Sequence, residues 1–277
     1  MELYLTPKPG LVDLADSGSH TDLSLEIMER SVGYISEYLD EIKISLTSNE
    51  SFECQRLIAV RAEQRLYDNL GTNTHKGYIF LSGMLLIASW HAANQDEEAV
   101  RSTLSAMSME FFNSRDEHVS NGHQARQKYN AGGIIQESIN GFPTLFEEAL
   151  PAFRNAYLQH GCFRAASFAM LARLMQTVED TTTLHRGGQI GLSRVKRDGR
   201  RLEQIVTDGA DYTVFLQGLN CEYIRMNLTI GGIADMVGLT YGYLLACGEI
   251  SEADSMGYNI IFDPMFGNAD FQTPALL

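Results

Sequence analysis

The fold of this chain is decided where a polar stretch bounded by glycines meets a long apolar one. The polar stretch is Gly71-Thr72-Asn73-Thr74-His75-Lys76-Gly77, and the run after it is Tyr78-Ile79-Phe80-Leu81, then Met84-Leu85-Leu86-Ile87-Ala88. The run predicts a buried helix from about residue 75 to 93. The first N–H groups of a helix are unpaired and its dipole favours negative charge there, so polar donors at this end suit an anion. An ordinary cap by Asn73 or Thr74 explains the same residues.

Helical periodicity dominates the rest of the chain, which has only six prolines. A first helix is predicted after a cap at Thr21 or Asp22, and a second from Ser51 to Leu70, ended by Gly71. Further helices are predicted at 96–112, 144–160, 162–178, 183–206, 210–227 and 232–248. No β-alternation is found. We therefore predict an all-α fold, a single-domain multi-helix bundle over 1–277 with its active site at helix termini and connecting loops. An irregular N-terminal segment (1–21), a polar surface loop (114–133) and an irregular tail (251–277) complete it.

Composition narrows the class of protein. The apolar fraction is 44% and the charged fraction 20%, values typical of a soluble globular protein. A net charge of −14 argues against binding to nucleic acid or an anionic membrane. No signal peptide or membrane span is found. Four scattered cysteines, each in an apolar helical context, are expected to be buried free thiols: Cys54, Cys162, Cys221 and Cys247. These features predict a cytoplasmic protein.

Polar clusters with glycine recur near predicted helix starts. They lie at 6–13 (Thr-Pro-Lys-Pro-Gly-Leu-Val-Asp), 18–22 (Gly-Ser-His-Thr-Asp), 71–77, 137 with 141–143 (Glu, then Gly-Phe-Pro), 179–188 (Glu-Asp-Thr-Thr-Thr-Leu-His-Arg-Gly-Gly) and 231–235 (Gly-Gly-Ile-Ala-Asp). If these termini converge, they form one pocket competent for anions and metals. The chain has no P-loop, no GxGxxG fingerprint and no GxSxG elbow.

Each candidate residue also has a structural explanation. Carboxylates at Asp22, Asp180, Asp235 and Glu137 suit Mg²⁺ with a phosphate substrate, but Asp22 and Asp180 equally suit simple N-caps. Cations for phosphate are supplied by Lys8, Lys76 and Arg186, although Lys8 in solvent is an alternative. His20 and His185 are either functional or structural imidazoles, and Trp90 and His91 are expected in the core or at its edge. The basic run from Arg194 to Arg201 predicts either a local anionic ligand or a solvated helix face.

Taken in order from residue 6 to about 240, these motifs resemble the triphosphoribosyl-dephospho-CoA synthase family. The resemblance implies an all-α, Mg²⁺-assisted transferase. Such an enzyme joins the triphosphoribosyl group of ATP to the 2′-hydroxyl of 3′-dephospho-CoA and releases adenine. The product is the precursor of the prosthetic group of an acyl carrier protein, whose pathway proteins are potential partners.

The resemblance also implies roles for individual residues. The Mg²⁺ ligands are Asp22, Asp180 and Asp235. The catalytic candidates are Glu137, His20, His75 and Asp180, with Glu137, His20 or His75 as the general base. Substrate binding falls to Lys8, Ser19, Asn73, Thr74, Lys76 and Arg186, and to Arg194 and Arg197 for the phosphates of dephospho-CoA.

The chain departs from the family pattern near Glu137, where Ile135-Gln136 stands in place of Arg-Gly. Thr182 replaces an asparagine after Asp180-Thr181, and Ile230 replaces a proline. Two alternatives to the synthase therefore stay open: a Mg²⁺-dependent nucleotide N-glycosidase or glycosyltransferase with a changed acceptor, and a non-catalytic nucleotide-binding paralogue. The sequence leaves open whether the protein is a homo-oligomer.

Overall fold

A computed structural model describes residues 1–72, 74–94, 96–113, 132–251 and 253–254, and the regular structure in them is helical. The ten α-helices of this part are α1 (Leu25–Thr47), α2 (Phe52–Leu70), α3 (Lys76–His91), α4 (Glu97–Asn113), α5 (Gly133–Ile139), α6 (Leu150–His160), α7 (Phe163–Thr177), α8 (Thr181–Thr207), α9 (Thr213–Arg225) and α10 (Gly231–Ala246). A short 3-10 turn, Glu2–Tyr4, precedes them, and a π-helical turn, Thr144–Ala149, leads into α6. The predicted all-α fold is confirmed.

The apolar run that opened the sequence analysis forms α3, which lies between two hydrophobic cores. Ile79 and Ile87 pack into a smaller core with α1 and α2. Leu81, Met84 and Leu85 pack into the larger core, which is built around α7. A helix that is apolar on every side is stable only when it is buried on every side, so the sequence of α3 requires this central position.

Both ends of α2 lie where the local sequence predicts them, whereas the N-caps of α1 and α3 are not the predicted residues. Ser51 caps α2, its Oγ accepting from the Cys54 N–H at 3.4 Å, and Gly71 ends the helix with φ 70°, as predicted. The cap of α1 is Ser24 rather than Thr21 or Asp22, because the chain at 21–22 is still held in the preceding loop, where Asp22 accepts from the Thr72 hydroxyl. Thr74 does not cap α3, since the N-cap position belongs to His75. Asn73 lies outside the described residues.

The paired glycines of the 179–188 cluster mark a break inside α8. Gly188 has φ 60° and ψ −162°, a conformation open essentially to glycine alone. A Cβ on the preceding Gly187 would lie 2.7 Å from a methyl group of Leu228, so the chain passes close to its neighbour here. The sequence predicted a close backbone approach at this pair but not the break.

Several further expectations need correction or lie beyond the described residues. The four cysteines are exposed, because three of them stand at or near helix ends and the fourth is on the solvent side of α9. Trp90 is 48% exposed and so is not a core residue. Helix α5 was not predicted. Most of the predicted loop, 114–131, and most of the tail, 252 and 255–277, lie outside the described residues. Among the helices that are described, none has the length and apolar character needed to cross a bilayer.

Candidate active site

A cavity of about 410 Å³ lies between the N-terminal segment, α1, the first turn of α3 and α10. Its lining includes the polar side chains of Glu2, His20, Glu29, Thr74, His75 and Asp235. Its apolar lining includes Leu11, Val12, Ile35, Tyr78 and Tyr241. Four of the six predicted clusters therefore line this cavity. The clusters 18–22, 71–77 and 231–235 contribute polar side chains, and the cluster 6–13 contributes the apolar Leu11 and Val12.

His75 stands at the N-cap position of α3, with two hydroxyls on one of its ring nitrogens. Nδ1 lies 2.8 Å from the Ser31 Oγ and 3.1 Å from the Thr74 Oγ1. Burial lowers the pKa of His75, and Glu2 and Lys8 act on it with opposite signs. The imidazole is therefore neutral near pH 7 and able to accept a proton.

Asp235 reaches from α10 to the first turn of α3. Its Oδ2 would lie 2.1 Å from a Cβ placed on Gly77, so only glycine admits the carboxylate at this position. It also accepts a hydrogen bond from the Tyr78 backbone N–H. Burial raises the pKa of Asp235 well above its usual value, and the charges of Asp180 and Glu2 add to this effect. The site therefore favours a proton or a cation at this carboxylate.

Asp180 joins the N-termini of two helices. Its Oδ1 accepts from the N–H groups of Thr182 and Thr183, at 2.8 and 2.9 Å, and so caps α8. Its Oδ2 accepts from the Ile233 N–H at 3.0 Å, in the first turn of α10. The side chain is fully buried, and burial raises its pKa against the effect of these hydrogen bonds. The N-termini of α3, α8 and α10 are thus brought together by Asp180 and Asp235.

The 18–22 loop is fixed to the turn before α10. The Ser19 hydroxyl donates to the Leu228 carbonyl at 2.6 Å, and Arg186 donates to the Ser19 carbonyl at 2.6 Å and to the Asn227 Oδ1 at 2.9 Å. His20, held 3.0 Å from the Thr229 hydroxyl through Nε2, lines the cavity. Burial lowers the pKa of His20, and the Arg186 charge lowers it further.

Lys8 is not solvated, which settles one alternative left by the sequence. Its side chain is 1% exposed, and Nζ donates to the Glu2 carboxylate at 2.5 Å and to the Glu2 carbonyl at 2.7 Å. Its backbone N–H donates to Asp13 at 2.8 Å. A buried ammonium requires such a counter-charge, so Lys8 acts on the cavity through Glu2.

Among the described residues, four of the predicted site residues line this cavity: His20, Thr74, His75 and Asp235. Lys8, Ser19 and Arg186, described above, lie outside its lining, and so do the residues that follow. Glu137 accepts from the N–H and the hydroxyl of Thr144, both at 2.8 Å, and burial raises its pKa. Lys76 pairs with Glu63 at 2.9 Å on the surface, and Asp22 is exposed. Asp180 stands behind Gly232 rather than in the lining itself.

The basic run lies along α8 at a second, open cleft of about 430 Å³, lined by Gln189, Ile190, Ser193, Arg194, Arg197 and Met226. Arg194 is bound to Asp198 at 2.6 Å and also to Glu222. Arg197 is 65% exposed and its nearest carboxylate, Asp198, is 3.9 Å away. A solvated helix face therefore explains most of this run, and Arg197 is an exposed member that lines the cleft.

The sequence missed Glu2, Glu29, Ser31 and Tyr78. No motif marks them, because each comes to the cavity from an element whose position depends on tertiary packing. A serine inside the apolar face of α1 is the one signal that was available for Ser31. Within the described part of the chain, no three His, Cys, Asp or Glu side chains are already arranged to hold a metal ion.

The fold and site define an all-α protein in which the N-termini of α3 and α10 meet at a cavity lined by carboxyl and imidazole groups, the acid and base groups typical of an enzyme site. The family model described as ATP:dephospho-CoA triphosphoribosyl transferase (CitG) matches residues 1–252. The chain belongs to this family.

Curated relatives agree with the family match. A 2-(5''-triphosphoribosyl)-3'-dephosphocoenzyme-A synthase of Klebsiella pneumoniae is 27% identical over 259 residues, which is 87% of this chain and 85% of that protein. A protein with the same name, qualified as probable, from Streptococcus equi subsp. zooepidemicus is 31% identical over 266 residues, 86% of this chain and 90% of that one. A further probable synthase, from Salmonella gallinarum, is 28% identical over 259 residues, with 87% and 85% covered. No solved structure matches the chain.

Proposed function

We propose that this protein is a triphosphoribosyl-dephospho-CoA synthase, which transfers the triphosphoribosyl group of ATP to the 2′-hydroxyl of 3′-dephospho-CoA and releases adenine. The product is the precursor of an acyl carrier protein prosthetic group. The observation that carries the proposal is the family match over 1–252, which includes the cavity residues His20, His75 and Asp235. A cytoplasmic location remains an expectation from the sequence.

The reaction exchanges one bond to the ribose C1 for another. The bond from C1 to the adenine nitrogen breaks, and adenine leaves with the electron pair. The bond from C1 to the acceptor oxygen forms, and the proton of the acceptor hydroxyl is passed on to neutralise adenine. Cleavage develops positive charge at C1, so the site must supply a base for the hydroxyl and negative groups near the sugar. Inverting glycoside hydrolysis uses the same combination of a general base and negative charge near the sugar, with water as the acceptor in place of an alcohol.

The cavity supports a histidine as the base. His20 and His75 both line it, and burial lowers the pKa of each, so each is neutral at pH 7. Glu137 is less suited, because both of its oxygens bond to Thr144 outside the lining. Asp235 and Glu2 bring carboxyl groups to the same cavity.

The carboxylates fit Mg²⁺ by their chemistry. Asp235 and Asp180 are close enough to raise the pKa of Asp235 by repulsion, and a divalent cation relieves such repulsion. Asp235 would coordinate the ion directly. Asp180, behind Asp235, would add negative charge, and Asp22 would be a ligand from the 18–22 loop. Mg²⁺ commonly takes only one or two protein carboxylates and completes its shell with phosphate oxygens and water. The ion would neutralise and orient the triphosphate.

Cations and backbone N–H groups would bind the remaining phosphate charge. Arg186 lies beside His20, Lys76 opens α3, and Lys8 lies behind Glu2. Ser19, Thr74 and Asn73 would add hydrogen bonds. Arg197, with Arg194, would contact the phosphates of dephospho-CoA at the open cleft on α8.

The test is adenine release measured by chromatography, with ATP and Mg²⁺, in the presence and absence of 3′-dephospho-CoA. The proposal expects adenine only when dephospho-CoA is present, together with a product of the summed mass less adenine. Release without the acceptor would indicate an N-glycosidase instead, and binding of ATP without release a non-catalytic paralogue. Failure to bind either substrate would overturn the proposal.

A further inference from the structure

Ser31 is a buried residue in hydrogen-bond contact with His75. It lies in the second turn of α1 with no exposed surface. Its Oγ is 2.7 Å from the Met28 carbonyl oxygen of its own helix and 2.8 Å from the His75 Nδ1 across the helix interface. None of the sequence motifs contains it.

The two contacts fix where the hydrogens are. A serine hydroxyl has one proton to donate, and a carbonyl oxygen only accepts. The proton in the bond to Met28 must therefore come from Ser31, and Ser31 then meets Nδ1 with a lone pair. The hydrogen in that second bond must come from Nδ1 itself. The Thr74 Oγ1, 3.1 Å from the same nitrogen, is consistent as a second acceptor.

A neutral imidazole carries one N–H, so a protonated Nδ1 leaves Nε2 with a free lone pair. Burial lowers the pKa of His75 and keeps the ring neutral. Both hydroxyls lie at Nδ1, and the described residues show no hydrogen bond to Nε2, while the ring lines the cavity. The proton-accepting edge is thus available to a bound substrate.

We propose that Ser31 is a positioning residue of the transfer reaction: it holds His75 as the tautomer protonated at Nδ1, so that Nε2 accepts the proton of the attacking hydroxyl. This inference rests on the proposed function and selects His75 over His20 as the base. The hydroxyl proton moves to Nε2, the oxygen bonds to the ribose C1, and the proton is then available to the departing adenine.

Other charged and titratable groups surround the His75 ring and are able to affect its pKa. Glu2 and Lys8 come from the N-terminal segment, Glu29 from α1, His20 from the 18–22 loop, Tyr78 from α3 and Asp235 from α10. None of them makes a hydrogen bond to Nδ1 among the described residues, so the tautomer depends on the hydroxyls of Ser31 and Thr74.

The first measurement is direct and independent of activity. Long-range proton–nitrogen NMR of the protein labelled at histidine distinguishes a protonated from an unprotonated ring nitrogen, and His75→Gln assigns the signal among the seven histidines. At pH 7 we expect His75 to show a protonated Nδ1 and an unprotonated Nε2. Ser31→Ala is expected to give a mixture of the two tautomers.

The second measurement is kinetic. Ser31→Ala should lower kcat for adenine release about 2- to 10-fold, because in a mixture of tautomers only the fraction of rings with a free lone pair on Nε2 can act as the base. KM for ATP should stay within about twofold. Ser31→Thr keeps the hydroxyl and should restore both the single tautomer and kcat. The matched control is Ser167→Ala, a serine equally buried and bonded to its own helix carbonyl in α7, which should change neither readout.

Three outcomes would overturn the inference: a wild-type ring protonated at Nε2, an unchanged tautomer in Ser31→Ala, or full kcat in that variant. A wild type that shows the Nδ1-protonated ring but releases no adenine has a different meaning. In that case the proposed function and the base role fail together, while the tautomer assignment stands.

Discussion

Gly77 is the residue at which α10 comes closest to the first turn of α3. A Cβ there would lie 2.1 Å from the Asp235 Oδ2. We expect Gly77→Ala to destabilise the protein by about 1–3 kcal/mol, the usual cost of overpacking, and to lower adenine release by displacing Asp235. Chemical denaturation and the adenine assay measure the two effects.

The control for this change is Gly33→Ala, in the exposed interior of α1, where a Cβ meets nothing within 4 Å. That variant should be stabilised by about 0.5–1 kcal/mol, because alanine is the better helix former. Equal stability of Gly77→Ala and wild type would show that the carboxylate does not occupy this contact.

The raised pKa of Asp235 also predicts how the free energy of unfolding depends on pH in the absence of ligands and Mg²⁺. The pKa of Asp235 in the folded state is raised well above 3.8, the value expected in the unfolded chain. At any pH between the unfolded-state pKa and the folded-state pKa, the folded state therefore binds more protons than the unfolded state. Stability from this group is therefore present at low pH and lost as the pH rises through the interval. Asp235→Asn mimics the protonated form and removes the loss.

We expect Asp235→Asn to unfold a few degrees above wild type at pH 8, with the difference disappearing below about pH 4, as measured by thermal scans at several pH values. Asp40→Asn, an exposed aspartate on α1, is the control and should show no such trend. A variant less stable than wild type at pH 8 would contradict the predicted direction.

At the scale of elements, α8 is notable because it is two helical segments with a break at Gly188. The first segment begins at the Asp180 cap beside α10, and the second carries the basic run. We expect Gly188→Ala to cost about 1–3 kcal/mol, because φ 60° with ψ −162° is essentially closed to other residues. It should also weaken ATP binding by moving Arg186, which equilibrium titration would detect.

Gly218→Ala, within α9, is the matched control, since that glycine has no positive φ and open space at its Cβ. It should be neutral or mildly stabilising. If both variants lose the same stability, the break at 188 is not a requirement of the backbone.

A helix end can be predicted from the sequence when the residues that set it lie within the same turn of chain. Helix α2 was predicted at both ends, because Ser51 and Gly71 act within their own turn of chain. The start of α1 was predicted too early, because Asp22 contacts Thr72 fifty residues away instead of capping the next helix. The break in α8 was missed because the helical pattern continues on both sides of Gly188, and two glycines within a helix do not by themselves indicate a break.

At the scale of the whole molecule, ligand binding should stabilise the fold, since the cavity joins the N-terminal segment to α1, α3 and α10. ATP with Mg²⁺ at about 100 times its Kd should add about 2.7 kcal/mol, visible as a raised Tm. Removing Mg²⁺ with a chelator should abolish most of this shift, because ATP alone brings its charge close to Asp235 and Glu2. An equal shift without Mg²⁺ would contradict the proposed metal site.

The sequence by itself determined the helical class, the buried position of α3 and the order of motifs that places the chain in its family. The helical class and the position of α3 follow from the periodicity of apolar residues, and the family resemblance follows from the order of short polar clusters. Both are properties of the sequence that do not depend on tertiary contacts. It also supplied His20, His75 and Asp235 as site residues, but with nothing to rank them above Glu137 or Arg194.

Only the tertiary structure decided which of these residues share a cavity and in what chemical state. Asp180 and Asp235 join helices that are far apart in the chain, Lys8 is buried against Glu2, and Ser31 of α1 fixes the ring of His75 at the start of α3. Burial and opposing charge set the pKa of a group, and both depend on neighbours that packing supplies from other elements. For that reason the sequence supplied only part of the cavity lining, while the remaining lining residues and the contacts that set its protonation depend on the fold.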